Sequence, residues 1–283
     1  MKLTKPSISV KDIFDTCINT MHEDNKIKFS PCLSEMQIAT HNYEQKMEQG
    51  DFKNVCQCTS IQNVSKKDLE TLYTNKLSKK GHLARKYYDQ IINSAPGGIC
   101  PYCHQQIVST LDHYYPKAHY ISLVISPSNL IPSCQACNKN KLDAIIRHNR
   151  DAFINPYYED SDQFIWLHAH LNENIDSEQL TMSFYVSIPD NIDSLLEERL
   201  ENQFQVLKLD HLYSMHAAQD LIAVVRQHKR IYATLGISEV KISVSEAIND
   251  NSFRPNSWQS AMYRALDNDW YYSVWLPHKY LTD

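Results

Sequence analysis

Four of the eight cysteines stand in two C-x-x-C pairs, Cys100-Pro-Tyr-Cys103 and Cys134-Gln-Ala-Cys137. Thiolates at that spacing can face one ion from a single turn. Two such turns complete a tetrahedral Zn²⁺ site, worth about 10–16 kcal/mol of apparent binding energy. Two chance pairs of free thiols are the plain alternative. Thirty residues separate the pairs, so the insert must be a structural unit that leaves the metal and returns to it. Gly97-Gly98 suits a tight turn before the first pair. Cys17, Cys32, Cys56 and Cys58 share no such spacing. They are expected to be buried free thiols, with a second metal site using His41 as the alternative.

The insert holds further groups capable of chemistry. Val108 to Tyr115 is β-branched and aromatic and predicts a strand that carries Asp112 and His113. Residues 118–128 predict a loop. Asn129-Leu130-Ile131-Pro132-Ser133 predicts a second short strand, with Pro132 at an edge or exit. From Cys137 to Arg147 the spacing of Leu142, Ile145 and Ile146 predicts a helix with one apolar face. Taken singly, Asp112 is a turn residue, His113 a strand-end histidine and Asn138 a helix cap. Their common register between two cysteine pairs gives them joint interest.

This order of residues resembles the HNH endonuclease family, in particular HNH proteins of bacterial defence loci. The resemblance rests on Cys100/Cys103, Asp112-His113, Asn129-Leu130, Cys134/Cys137-Asn138 and Lys141, and covers about residues 98–143. The string Phe153-Ile154-Asn155-Pro156-Tyr157-Tyr158 is more loosely similar. The resemblance implies a ββα-metal finger pinned by Cys100, Cys103, Cys134 and Cys137. It further implies hydrolysis of DNA phosphodiester bonds in antiphage defence or restriction, beside a separate ATPase or sensor subunit.

His113 suits the general base, because neutral imidazole can take a proton at cellular pH. The resemblance gives Asp112 and Asn138 one Mg²⁺ or Mn²⁺, a hard ion that prefers oxygen ligands. Many relatives carry His where Asn138 stands. Asn129 is expected to tie the strands together and orient His113 by hydrogen bonds. Asp112 and His113, adjacent on a strand, can share a site only if the chain bends or bulges between them. Tyr115, Lys117, His119 and Lys141 are candidate phosphate contacts, Lys141 being equally readable as a solvated helix lysine. His104 reads as structural.

The flanks must position these groups. Residues 1–95 predict a helical, basic region. Its stripes include Val10, Ile13, Phe14, Cys17 and Met21, then Leu33 to Met47, a helix capped by Ser65, and one from His82 to Ile92. Lys79, Lys80, Arg85 and Lys86 belong to a run of seven basic residues over 66–86 opposed by Asp68 and Glu70. That run is a candidate DNA-backbone surface, or an ordinary solvated helix face. Residues 96–150 form the finger. Residues 151–283 form an acidic region with a strand pair (164–170 and 182–188), helices over 191–249 and an aromatic tail at 270–275. The fold class expected is α+β, mostly helical, with the finger embedded between helical flanks.

Composition narrows the function. Residues 1–150 carry 19 Lys and Arg against 13 Asp and Glu, while 151–283 carry 9 against 20. An anionic partner would meet the first part, unless the split is mere drift of surface charge. Five glycines at 50, 81, 97, 98 and 236 build neither G-x-G-x-x-G nor a P-loop, which excludes the usual nucleotide-binding loops. No apolar run follows the N-terminal lysines and none is long enough for a membrane, so a cytoplasmic protein is expected. One finger cuts one strand; a double-strand break needs a homo-oligomer or two nicks. The contrasting reading is a non-catalytic zinc module that binds nucleic acid or a protein.

Overall fold

The computed structural model describes residues 1–175 and 179–282. It divides into two compact units, Met1–Ser161 and Asp162–Asp283. The first opens with helices α1 (Val10–Ile18), α2 (Glu23–Phe29) and α3 (Cys32–Glu48). Ser9 starts α1 by accepting the Asp12 amide, while the Asp12 carboxylate accepts the Ser9 amide. The apolar stripe of α1 faces inward through Val10, Ile13, Phe14 and Cys17. A two-residue hairpin follows, β1 (Ser60–Ile61) and β2 (Val64–Ser65). Ser65 then caps α4 (Lys66–Thr71) by accepting the Asp68 amide, and α4 runs into a π-helical segment, Leu72–Leu77. The next helix, α5 (Arg85–Ile92), begins three residues later than its apolar pattern suggests.

The cysteine-bearing segment supplies β3 (Thr110–His113), β4 (Leu130–Ser133) and α6 (Gln135–Lys141). The two strands are antiparallel, in register from Thr110↔Ser133 to His113↔Leu130. Between them lie two single turns of 3₁₀ helix, Ile121–Leu123 and Pro127–Asn129. The helix expected from 137 to 147 is displaced and shortened. Cys134 Sγ accepts the Cys137 amide and starts α6 early, and Leu142 ends it in the left-handed region at φ +53°. Leu142 is exposed, so it forms no apolar face with Ile145 and Ile146.

No break separates the N-terminal helices from this segment, in place of the boundary expected near residue 95. Leu111, Ile121, Val124, Ile125 and Leu130 share one core with Val10, Ile13, Phe14, Cys17, Leu72 and Tyr88. The thiols of Cys17 and Cys32 are buried there as expected, whereas Cys56 is exposed and Cys58 half-buried.

The second unit contains the antiparallel pair β5 (Leu167–Leu171) and β6 (Met182–Val186) and helices α7 (Ser194–Val206), α8 (Leu209–Leu235), α9 (Ile237–Ile248), α10 (Trp258–Leu266) and α11 (Leu276–Thr282). Buried Asn256 accepts the amides of Trp166 and Leu167 at 2.8 and 3.2 Å and so starts the sheet. The aromatic tail packs inward through Tyr271, Tyr272 and Trp275. Among the described residues no helix is long and apolar enough to cross a membrane.

The shared core makes a remote substitution informative. Phe14→Ala should cost about 3–5 kcal/mol in urea unfolding and should loosen β3 and β4 with the helices, in one transition for the first unit. A separate, unshifted transition for the cysteine-bearing segment would contradict the single core.

Candidate metal centre and catalytic groove

The four Sγ atoms of Cys100, Cys103, Cys134 and Cys137 lie within 4.8 Å of one another and all four residues are buried. Cys103 and Cys134 approach to 4.0 Å, far beyond a disulfide bond. Ligands 2.3 Å from a tetrahedral ion are about 3.8 Å apart, so the thiols fit Zn²⁺. Hydrogen bonds from Cys100 hold the Cys103 and Cys134 thiols below the ordinary range, whereas burial pushes Cys100 up. A divalent cation allows all four to ionise. Among the described residues no other group of His, Cys, Asp or Glu is gathered this way. Among the described residues His41 joins no gathered set of three or more such groups, and His104 stands outside the cluster.

Both cysteine turns carry residues toward one groove of about 300 Å³. The second turn opens α6, on which Asn138 lines the groove and Lys141 comes three residues later. The first carries Tyr102, fully buried, whose hydroxyl donates to Asp112 Oδ2 at 2.9 Å. Thr110, Leu111, Asp112 and His113 all line the groove. It therefore follows the unpaired edge of β3 rather than one face. The pairing with β4 is regular, so Asp112 and His113 share the groove without the bend or bulge expected between them.

His113 is held by its surroundings. Its Nε2 lies 2.8 Å from the Val124 carbonyl. A carbonyl only accepts, so Nε2 carries the hydrogen and Nδ1 keeps the lone pair. Tyr73, from the π-helical segment, meets the imidazole edge-on with ring centres 4.5 Å apart. Burial pushes the His113 pKa down to about 4, so the ring is neutral at cellular pH. Asn129 does not bond His113 directly, contrary to expectation. Its side chain accepts the Tyr115 amide at 2.8 Å and donates to the Tyr115 and Leu123 carbonyls at 3.1 and 3.4 Å. It thereby ties the chain just after His113 to the residue just before Val124.

Asp112 and Asn138 offer one carboxylate and one amide oxygen. Asp112 Oδ2 takes the Tyr102 hydroxyl, and Lys141 Nζ lies 3.1 Å from Oδ2 and 3.4 Å from Oδ1. Asn138 donates from Nδ2 to Thr110 Oγ1 at 3.4 Å, which leaves its Oδ1 as an acceptor. These hard oxygen donors fit Mg²⁺ or Mn²⁺, ions that keep several waters.

The candidate phosphate contacts separate into two groups. Lys117 lines the groove, its Nζ 5.8 Å from the Tyr73 ring centre. Lys79, Lys80 and Lys86 are exposed. Lys141 is buried and paired with Asp112, neither a solvated helix lysine nor a free phosphate contact. Arg85 bonds Asp89 at 2.7 Å and the Ser78 carbonyl, and stacks on Tyr88 at 4.1 Å. Tyr115 is fully buried and donates to the Phe52 carbonyl, and His119 is half-buried outside the groove lining. Tyr73 and Tyr102 escaped sequence reading; Tyr102 stands inside the first C-x-x-C pair, a signal of nearness to the metal but not of what it touches.

The family model for the HNH endonuclease matches residues 99–143. The chain is also 30% identical over 225 residues to Protein ea31 of Escherichia phage lambda, covering 74% of either chain. The chain belongs to the HNH endonuclease family. No solved structure matches it. The matched HNH segment holds the four cysteines, Asp112, His113, Asn129, Asn138 and Lys141. The similarity to the phage protein is longer than the whole first unit, so it reaches into both units.

Two measurements test the centre. Cys134→Ser should lose about one equivalent of zinc by atomic absorption; full retention would contradict the four-thiol site. Unfolded, His113 takes up a proton near pH 6.5, and folded only near 4. The unfolded chain binds more protons in that window. Stability is therefore full above about pH 6.5 and falls by about 3 kcal/mol as pH drops toward 4. Urea unfolding across that range should show a smaller acid loss in His113→Gln; an equal loss would refute the assignment.

Proposed function

We propose that this HNH protein is a metal-dependent endonuclease that hydrolyses phosphodiester bonds in DNA through a zinc-stabilised ββα-metal finger. The observation that carries the reading is a neutral histidine whose Nδ1 lone pair is kept available beside Asp112 and Asn138 in one groove. Nδ1 accepts a proton from a water as that water's oxygen attacks phosphorus and the bond to the 3′ oxygen breaks. The Val124 carbonyl holds the tautomer and stabilises the imidazolium that forms. Asp112 and Asn138 would hold the divalent ion, which supplies positive charge for the phosphate and the leaving oxygen. Lys117 at the groove and exposed Lys79, Lys80 and Lys86 follow the DNA backbone, a sequence-independent attraction.

The setting we propose is conflict between phage and bacterial host, in the reducing cytoplasm. The motif resembles proteins of defence loci, and the relative is a phage protein. A separate ATPase or sensor subunit, and a homo-oligomer for double-strand cleavage, extend this reading. Recovery of a lone monomer from a native pull-down would remove both.

Purified, zinc-loaded protein should nick or linearise plasmid with Mg²⁺ or Mn²⁺. His113→Ala should lower the rate by about 10²–10⁴-fold while retaining zinc and fold. Cleavage unchanged in His113→Ala would overturn the base assignment. Folded, zinc-loaded wild-type protein that cuts nothing with either ion, alone or with its captured partner, would favour the non-catalytic module.

A further inference from the structure

The groove's carboxylate Asp112 is already paired with a cation of the protein's own. Lys141 is buried, with its ammonium 3.1 Å from Asp112 Oδ2 and 2.8 Å from the His113 carbonyl that it donates to. A lysine on the last turn of an exposed helix normally reaches solvent. This one turns inward to the carboxylate that the proposed reaction assigns to the metal. The Tyr114 ring lies 6.0 Å from its Nζ and adds a weak attraction that keeps it there.

Charge at the groove then sums to zero. Asp112 and Asp143 line the groove against Lys117, Lys141 pairs with Asp112 from outside the lining, and Asn138 is neutral. No third His, Cys, Asp or Glu joins Asp112 and His113 in a gathered ligand set among the described residues. A divalent ion that asks for six oxygens and negative charge finds the Asp112 carboxylate already paired with Lys141 and a neutral Asn138 amide beside it. A phosphodiester brings what is missing, an anionic charge and further oxygen ligands.

We propose that Lys141 neutralises Asp112 so that the protein holds its divalent ion weakly until a DNA phosphate completes the site. Metal and substrate therefore load together. This rests on the reading of Asp112 and Asn138 as the metal-holding pair. Linkage makes the coupling reciprocal: DNA tightens the metal by the factor by which the metal tightens DNA. The consequence for a nuclease is that free cellular Mg²⁺ alone leaves the groove unloaded.

The test is Mn²⁺ binding, followed by the electron paramagnetic resonance of the free ion, on full-length zinc-loaded protein. The parent is His113→Ala, which leaves the DNA uncut. A short DNA duplex should tighten Mn²⁺ binding by about tenfold or more in this parent, a change of about 1.4 kcal/mol. Adding Lys141→Gln removes the charge and keeps a donor for the His113 carbonyl. It should tighten duplex-free binding about tenfold and shrink the effect of the duplex. Mn²⁺ should also raise its thermal midpoint more than the parent's, because the ion replaces a lost cation beside Asp112. Lys141→Met, of similar length, repeats the test if the Gln variant fails to fold. Lys141→Arg keeps the charge and should bind like the parent.

Duplex-independent Mn²⁺ affinity in the parent overturns the proposal without any further variant. Equal or weaker duplex-free binding in the Gln or Met variant also overturns it, and leaves Lys141 a structural prop. The two readings fail differently. If Asp112→Asn changes Mn²⁺ binding in no arm, the metal assignment itself falls.

Discussion

Four thiols brought within 4.8 Å of one another join chain segments separated by thirty residues. The groove depends on that junction from two directions. One cysteine turn carries Tyr102 to the Asp112 carboxylate, and the other caps the helix that bears Asn138 and Lys141. Two four-residue strands and a seven-residue helix have little cooperative stability of their own. A metal bond worth about 10–16 kcal/mol is of the size needed to hold them. The cysteines are thus remote from the proposed chemistry and yet set the positions of its oxygen donors.

The proposed general base is held by other parts of the chain. Val124 fixes the tautomer of His113, Asn129 fixes the loop that presents Val124, and Tyr73 closes the side of the ring. Tyr73 comes from the N-terminal helices, and its hydroxyl donates to the Leu111 carbonyl at 3.3 Å on the strand that carries His113. The helices and the cysteine-bearing segment therefore form one folding unit around a common core. A π-helical segment is an irregularity often found at functional sites; here it delivers an aromatic ring to an imidazole.

Electrostatics at the groove are balanced rather than strongly negative. A buried carboxylate alone would be costly, and Lys141 and Tyr102 offset its desolvation. The same pairing lowers its pull on a divalent ion. On the proposed reading, stability of the groove and affinity for the metal thus oppose each other at one residue. The second unit adds no gathered ligand set among its described residues, but the relative's similarity extends into it.

The sequence by itself determined the four cysteines of the candidate zinc site, the family, the strand–loop–strand–helix order and most N-terminal helices. These are local in the chain: cysteine spacing, apolar period and capping residues act over a few positions. Tertiary structure decided what spacing does not encode. It buried Lys141 against Asp112, turned Arg85 into a bracket between Ser78 and Asp89, and sent Asn129 to the backbone. It ended α6 at Leu142 and merged the cysteine-bearing segment with the helices before it. A lysine reads alike in sequence whether it meets water, phosphate or a carboxylate. Only the groups that folding brings from distant positions choose among them, because burial and pairing are set by neighbours in space rather than neighbours in the chain.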